Sequence, residues 1–311
     1  MISSNPFVDD TIADAPGAPL MAPCKAARRE LAVVRISGDE ARDFLHGQLS
    51  ADLRALIVGG TLVTAWLSPK GRVLFMPRLL RRGEQDFFAL LPVEQAAAFC
   101  KRLRMFVLRA KVVVEDLSAS HGVLVLDGAA QMLIDSLPAD DERLTARDGE
   151  RHWLLAPRAL LATVWDALPL PAQSASGAGL ADIARGDITL AATLSDEFLP
   201  QELNLDVRDG VSFNKGCYPG QEIVARVKFR GSVKRRVQRL ALDNATAPPP
   251  GTRLVGADGA PHATVIMSAV RDDAHSEVLA VVDVDSGPLR LADAPHALIE
   301  PLPLPYPAPG A

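Results

Sequence analysis

The sequence is poor in residues that build disulfide scaffolds and metal centres. It has three cysteines in 311 residues, Cys24, Cys100 and Cys217, and their spacing shows no pairing. A disulfide framework is therefore excluded, and a reducing compartment is expected. The six histidines are scattered without metal-ligand spacing, so we expect no metal site built by the chain itself.

Several other patterns are missing. No run approaches the ~18 apolar residues of a membrane span, and residues 1–23 lack the basic and apolar regions of a signal peptide. We find no GxGxxG pattern, no Walker A pattern and no catalytic-triad context. The net charge of −5 argues against a protein whose whole surface binds nucleic acid. We expect a soluble, cytoplasmic monomer whose partners include neither membrane nor DNA.

The most informative segment present is the polar, glycine-rich stretch KGCYPGQE at residues 215–222. The apolar residues that follow Gly220 recur with helical spacing and predict a helix that stops at Gly231. Cys217 would then precede a helix N-terminus, where free N–H groups and the helix dipole favour an anion. The neighbouring Lys215 also favours the thiolate form. The segment therefore predicts a loop that presents a reactive or ligating sulfur.

Two alternatives stay open for this segment. Free cysteines are often buried and inert, and Cys217 could be one of them. The helix could also be a strand, because three basic residues of the run alternate with Val227 and Phe229.

The stretch KGCYPGQE, followed by VARVKFRG and KRR, resembles the signature of the YgfZ-type folate-binding proteins. These proteins are relatives of the aminomethyltransferase, or T-protein, of the glycine cleavage system. Three further stretches fit the same family: DEFLPQELNLDVRDGVSF at 196–213, FLHGQLSADL near Phe44, and the SPKGR turn at 68–72. The resemblance covers residues 31–301.

The resemblance implies an α+β fold, an aminomethyltransferase-like ring of three domains with a small C-terminal β-barrel. The implied segments are a flexible arm at 1–23, a discontinuous folate-binding first domain at 24–116 plus 180–236, an inserted ferredoxin-like α+β domain and linker at 117–179, a β-barrel domain at 237–301, and a proline-rich tail at 302–311.

Local signals add detail to this outline. Ser37 and Glu40 have the spacing of a capping box that opens a helix. Residues 68–72 and Asp258-Gly259 read as hairpin turns. Residues 171–179, which are rich in Ala, Ser and Gly, read as a flexible low-complexity linker.

The resemblance also implies a cofactor and its site. The cofactor is tetrahydrofolate or a related reduced folate, and Cys217 with Lys215 would do the chemical work. The residues implied to contact the cofactor are Gly216, Tyr218, Gly220, Gln221, Glu222, Arg226, Arg230, Gln201 and Asn204. Glu222 and Arg226, spaced i,i+4, would either hold the loop in place or form an exposed helix pair.

Seven positive charges fall within the fourteen residues 226–239. This basic segment is either a solvated face, a site for a polyglutamyl folate tail, or a contact for RNA phosphates. Few aromatic residues interleave with the charges, so the sequence does not support base stacking on single-stranded RNA.

Two departures from the family bear on function. The T-protein has an acidic pair where this chain has Phe75 and Met76, and apolar side chains cannot act on an amine. Better-known YgfZ proteins have a folate-contacting tryptophan where this chain has Leu31. Aminomethyl transfer is therefore disfavoured, and whether the chain is an enzyme stays open.

The resemblance favours a tetrahydrofolate-binding protein that supports iron–sulfur cluster assembly or repair and, downstream, cluster-dependent tRNA modification. Its partners would be folate, iron–sulfur assembly or client proteins and, in the same role, tRNA. The alternatives are a folate-dependent aminomethyltransferase and a tRNA-binding module that uses the basic segment.

Overall fold

The computed structural model describes residues 5–8, 22–128, 131–137 and 140–307, so most of the predicted arm and the end of the tail lie outside the described residues. The strands in chain order are β1 Cys24–Ala27, β2 Leu31–Ser37, β3 Thr61–Val63, β4 Trp66–Leu67, β5 Val73–Phe75, β6 Arg78–Gly83, β7 Asp86–Pro92, β8 Val113–Asp116, β9 His121–Asp127, β10 Leu144–Asp148, β11 Arg151–Pro157, β12 Arg235–Leu242, β13 Arg253–Val255, β14 Pro261–Val270, β15 Ser276–Asp283, β16 Arg290–Leu291 and β17 Ile299–Leu302.

The α-helices within the described residues are α1 Ala41–Gln48, α2 Ala96–Val107, α3 Gln131–Asp135, α4 Arg158–Ala167, α5 Ala175–Arg185 and α6 Gln221–Arg230. Short 3₁₀ helices occur at Val93–Gln95, Ala192–Leu194 and Leu205–Val207. Among the described residues, no helix combines the length and the apolar character needed to cross a bilayer.

A five-stranded antiparallel sheet, ordered β3-β6-β7-β2-β8, forms the first unit. Side chains of a strand alternate between its two faces. In β2, Val34 and Ile36 therefore point to one face and pack with Leu45 of α1 and Phe99 of α2. Val33 points to the opposite face and joins a different core.

That second core lies between two sheets. The four-stranded sheet β1-β9-β11-β10 contributes Val123 and Val125, which pack with Val33 and Phe88 of the first sheet. The other face of the four-stranded sheet packs against α4, so the two units form helix, sheet, sheet and helix layers. Strand β1 comes from the segment predicted to open the first domain, but it pairs with β9 in this second sheet.

The C-terminal unit is a curled six-stranded antiparallel sheet, ordered β16-β13-β14-β15-β12-β17. Leu279 and Val281 of β15 pack on one face with Leu180 of α5 and Val224 of α6. The alternate residues of β15 form a separate core on the other face. The α+β class and the small curled C-terminal sheet are confirmed.

Two local predictions are wrong. Ser37 ends β2, and α1 begins at Ala41 after Glu40, which makes no side-chain cap bond. The carboxylate of Glu40 instead accepts from the backbone N–H of Lys111, so a long-range contact replaces the capping box. The predicted linker at 171–179 contains the start of α5, because the Ser174 hydroxyl accepts from the N–H of Gly177 and caps that helix.

Candidate functional site

The segment around Cys217 folds into a loop followed by a helix. Helix α6 starts after Gly220, which has φ +77° at the N-cap, and ends before Gly231. The alternative of a strand is therefore wrong. Cys217 is exposed, whereas Cys24 and Cys100 are buried, so the alternative of a buried cysteine is wrong as well.

The SPKGR turn packs against the start of α6. A Cβ atom added to Gly220 would lie 2.5 Å from the carbonyl oxygen of Ser68 and 2.8 Å from the Cα of Gly71. Gly71 itself has φ +73°, and a Cβ there would lie 2.9 Å from the Cβ of Ile223. Two stretches far apart in sequence thus meet where only glycine fits, and this contact fixes the position of the loop.

Lys215 is anchored to α1 rather than to the thiol. Its Nζ donates to the backbone carbonyl oxygens of His46, Leu49 and Ala51, the last two at 2.6 and 2.9 Å. These carbonyls lie at the negative end of the α1 dipole, which favours a cation. Burial lowers the pKa of Lys215 to about 8. Within the described residues, no hydrogen bond joins Lys215 to the sulfur of Cys217.

Tyr218 anchors the other side of the cysteine. Its ring is buried in the core that contains Leu203 and Val224. Its hydroxyl donates to the carbonyl oxygen of Ser212 at 3.4 Å, and the ring lies 5.1 Å from the Nζ of Lys215. Burial raises the pKa of Tyr218 to about 12. The loop is thus fixed at Lys215 and Tyr218, and it presents the exposed pair Gly216-Cys217 between them.

Gln201 and Asn204 are fully buried and contact backbone. The Nε2 of Gln201 donates to the carbonyl oxygen of Val224 at 2.8 Å, and the Nδ2 of Asn204 donates to that of Val237 at 3.0 Å. They hold α6 and β12 against the segment that precedes the loop. Their role toward a cofactor stays a prediction.

The remaining predicted contact residues lie on α6. Glu222, Arg226 and Arg230 are exposed, and Gln221 is half-buried. In the part of the chain that the structure describes, Glu222 and Arg226 form no ion pair with each other. The face of α6 that carries these side chains is therefore available to a ligand or a partner.

The basic segment divides into two groups. Arg235, Arg236 and Arg239 pair with Glu202, Asp206 and Glu277 at 2.9, 2.6 and 2.7 Å. The other group, Arg226, Lys228, Arg230 and Lys234, is exposed, and it has no acidic partner among the described residues.

Between the first sheet, the second sheet and α5 lies a cavity of about 20 Å³, the central cavity. Charged residues close it. Arg28 and Arg151 each contact Asp182 at 2.6 Å, and Arg78 contacts Asp187 at 3.1 Å. Sequence reasoning missed this network, although charged residues inside otherwise apolar strands were a usable signal.

Asp187 is held ionised in this network. Burial alone would raise its pKa, but Arg78, Arg208 and Arg151 outweigh burial and hold the pKa far below its usual range. A carboxylate that is paired in this way cannot accept a proton near neutral pH. The central cavity therefore contains acidic groups but, in Asp187, no general base.

Two of the three residues that depart from the family lie at the central cavity. Met76 and Leu31 line the central cavity with apolar side chains. Phe75 points into an aromatic cluster, with ring centroids 5.9 Å from Trp66 and 5.4 Å from Phe99. The positions where the T-protein resemblance implies carboxylates therefore offer no polar atom.

A much larger cleft opens beside the loop. This outer cleft has a volume of about 640 Å³. Its lining residues come from three parts of the chain, 52–62, Arg147 and 206–214. Its wall combines apolar Leu56 and Ile57 with the carboxylates of Asp52 and Asp209. Small-molecule sites have volumes of roughly 300–1,000 Å³, a range that contains the outer cleft and excludes the central cavity.

Metal ligands are not grouped in the described ranges, where no three His, Cys, Asp or Glu side chains come together as a metal site would need.

No protein-family model matches the chain. The "tRNA-modifying protein YgfZ" of Cronobacter sakazakii is 31% identical over an alignment of 308 residues. The match covers 88% of this chain and 90% of that protein. The protein of the same name from an Enterobacter species is 33% identical over 297 residues, with the same coverage.

The fold has a solved counterpart in the glycine cleavage system aminomethyltransferase T from Bartonella henselae. The TM-score is 0.65 at 16% sequence identity, over 91% of this chain and 86% of that chain. This likeness confirms the predicted aminomethyltransferase-like fold. The identity to the two curated proteins over most of their length establishes that the chain belongs to the family of the tRNA-modifying protein YgfZ.

Proposed function

We propose that this chain supports the assembly or repair of iron–sulfur clusters in client enzymes and, through them, tRNA modification. Cys217 would be the working thiol, and a reduced folate would be the cofactor. One observation carries the proposal: the pair Gly216-Cys217 is exposed between two anchored neighbours, Lys215 and Tyr218. The name of the curated relatives supports a role in tRNA modification.

The geometry limits what the thiol can do alone. Iron–sulfur clusters are held by about four ligands, and Cys217 supplies one. A cluster or iron ion at this loop is therefore cargo that is shared with donors of a client or assembly protein. The space around Gly216 is open, because a Cβ placed there would have no neighbouring atom within 4 Å, so a partner has room to approach the thiol.

The outer cleft fits a reduced folate better than the central cavity does. Its carboxylates, Asp52 and Asp209, can accept from the N–H donors of a pterin. Leu56 and Ile57 can pack against the aromatic linker, and the Arg147 guanidinium can bind the glutamate carboxylates. A bound tetrahydrofolate would supply a reduced pterin whose nitrogens carry one-carbon groups. The cofactor would lie beside residues 212–214, directly before Lys215.

Aminomethyl transfer is the alternative that the fold suggests. We do not favour it, because Met76 and Leu31 give the central cavity an apolar wall. In addition, the negative charge of Asp187 is balanced by the arginines that pair with it. We expect no ammonia and no methylene-tetrahydrofolate when the protein is incubated with aminomethylated carrier protein and tetrahydrofolate. Turnover in that assay would instead favour a true aminomethyltransferase.

The proposal is tested in a bacterial strain that lacks its own YgfZ-type gene. Wild type, Cys217→Ser and Cys100→Ala are expressed to equal levels, and cluster-dependent thiolated nucleosides in tRNA are quantified by mass spectrometry. We expect restoration by wild type and by Cys100→Ala, since Cys100 is buried away from the loop. We expect little restoration by Cys217→Ser, and full restoration by that variant would refute the role of the thiol.

A further inference from the structure

Helix α6 carries a large aromatic side chain that the core does not use. Phe229 is 70% exposed, in a chain with few aromatic residues. Its ring meets that of Phe213 edge to face, with centroids 6.1 Å apart and planes at 76°. Phe213 comes from the loop before Cys217, so the fold, and not the local sequence, brings the two rings together.

Three residues of α6 place exposed positive charges beside this ring pair. Successive helix residues are rotated by about 100°, so Arg226, Phe229 and Arg230 lie on one face of α6. Lys228 reaches sideways, and its Nζ lies 5.4 Å from the centroid of the Phe213 ring. We call the set the α6 patch; its members are Phe213, Arg226, Lys228, Phe229 and Arg230.

The α6 patch is positively charged although the chain as a whole is negatively charged. The chain carries a net charge of −5, and the other three arginines of the basic segment are paired with carboxylates. The three cations of the patch, Arg226, Lys228 and Arg230, have no acidic partner among the described residues. An exposed aromatic ring beside unpaired cations is the arrangement by which proteins bind single-stranded nucleic acid, with a base stacked on the ring and phosphates on the cations.

We propose that the α6 patch binds single-stranded RNA, such as an unpaired loop of tRNA, with a base stacked on Phe229. The inference rests on the proposed role in tRNA modification and gives that role a direct partner. Residues 221 and 229 are separated by about 12 Å along the helix axis. RNA on the patch therefore lies near the loop that presents Cys217. An acidic protein segment would match the charges but would supply no base to stack on the exposed ring of Phe229.

The test uses the full chain and a fluorescein-labelled single-stranded RNA in a fluorescence-anisotropy titration, with duplex RNA of equal length for comparison. Phe229→Ala should weaken single-strand binding by about 5- to 150-fold, the usual effect of losing one base–aromatic stack. Phe229→Trp should retain binding. Met132→Ala is the matched control, since Met132 is 83% exposed on α3 away from the patch.

Salt dependence tests the charges separately. The logarithm of the binding constant should fall with the logarithm of salt concentration, and Arg230→Ala should reduce that slope by about 0.7 for a single strand. Equal binding of duplex RNA, unchanged binding by Phe229→Ala, or preferential binding of anionic lipid vesicles would each overturn the proposal.

Cys217→Ser separates this inference from the proposed function, because the substitution should leave RNA binding intact. If it abolishes tRNA modification while the wild type shows no RNA binding, the inference fails and the role of the thiol stands. If RNA binding depends on Phe229 but Cys217→Ser restores modification fully, the inference stands and the role of the thiol fails.

Discussion

Gly71 and Gly220 meet where the SPKGR turn packs against the Cys217 loop. Both have positive φ values, +73° and +77°, and a Cβ on Gly220 would lie 2.8 Å from the Cα of Gly71. The obstacle is backbone, which cannot rotate away as a flexible side chain can. The position of the exposed cysteine therefore depends on two residues that have no side chains.

We expect Gly220→Ala to lower the free energy of unfolding by about 1–3 kcal/mol, because the left-handed backbone and the clash with Ser68 both oppose a methyl group. Chemical denaturation measures the change. Gly216→Ala is the matched control, since a Cβ there has no neighbour within 4 Å. Equal stability of the two variants would contradict the close contact.

Because Lys215 is partly buried, we expect the free energy of unfolding to depend on pH in the alkaline range. Its pKa is lowered by burial to about 8 in the folded state, against the ordinary value of 10.5. Between these values the unfolded chain binds more protons, so the free energy of unfolding should rise with pH through this window. Thermal melts of wild type and Lys215→Met from pH 7 upward test this, with the difference between the two proteins as the readout.

In that comparison wild type should gain stability relative to Lys215→Met as the pH increases. Lys215→Arg, which stays charged, should show no such gain. A constant difference between wild type and Lys215→Met would mean that the buried ammonium has an ordinary pKa.

Cys217 should be the first cysteine to be alkylated. It is exposed, whereas burial raises the pKa of Cys24 and raises that of Cys100 to about 11. The thiolate is the reactive form, so both buried thiols should react more slowly at neutral pH. Brief exposure to iodoacetamide followed by peptide mass spectrometry measures the order. Cys217→Ser should change the melting temperature little; a large drop would indicate that the side chain is structural.

Asp187→Asn should destabilise the protein by about 3–5 kcal/mol, because it leaves buried arginines without their counter-charge. The pKa of Asp187 is depressed in the folded state, so its contribution is present above the ordinary carboxyl pKa and is lost as the pH falls below that value. The gap between wild type and variant should therefore shrink in acid. Asp285→Asn, at an exposed position, serves as the control.

Tetrahydrofolate should bind with a micromolar dissociation constant, which corresponds to about −8 kcal/mol. Arg147→Ala should weaken that binding about tenfold, the effect of losing a charge-assisted contact to a carboxylate. Isothermal calorimetry provides the measurement, and Arg109→Ala, an exposed arginine away from the outer cleft, is the control. No heat and no thermal shift with millimolar ligand would exclude the folate.

The sequence by itself determined the local parts of this protein. Apolar spacing predicted α6, and the glycine inside SPKGR predicted a turn. These features depend on neighbours within a few positions, where backbone sterics and periodicity act directly.

Only the tertiary structure decided which side chains meet. Lys215 is next but one to Cys217 in sequence, yet its ammonium binds the end of α1, because three free carbonyls there attract it. Glu40 was expected to cap its own helix and instead accepts from Lys111. The rings of Phe213 and Phe229, and the ion pairs around Asp187, join segments whose spacing carries no periodic signal. Such contacts follow from how sheets and helices pack, which no local pattern specifies.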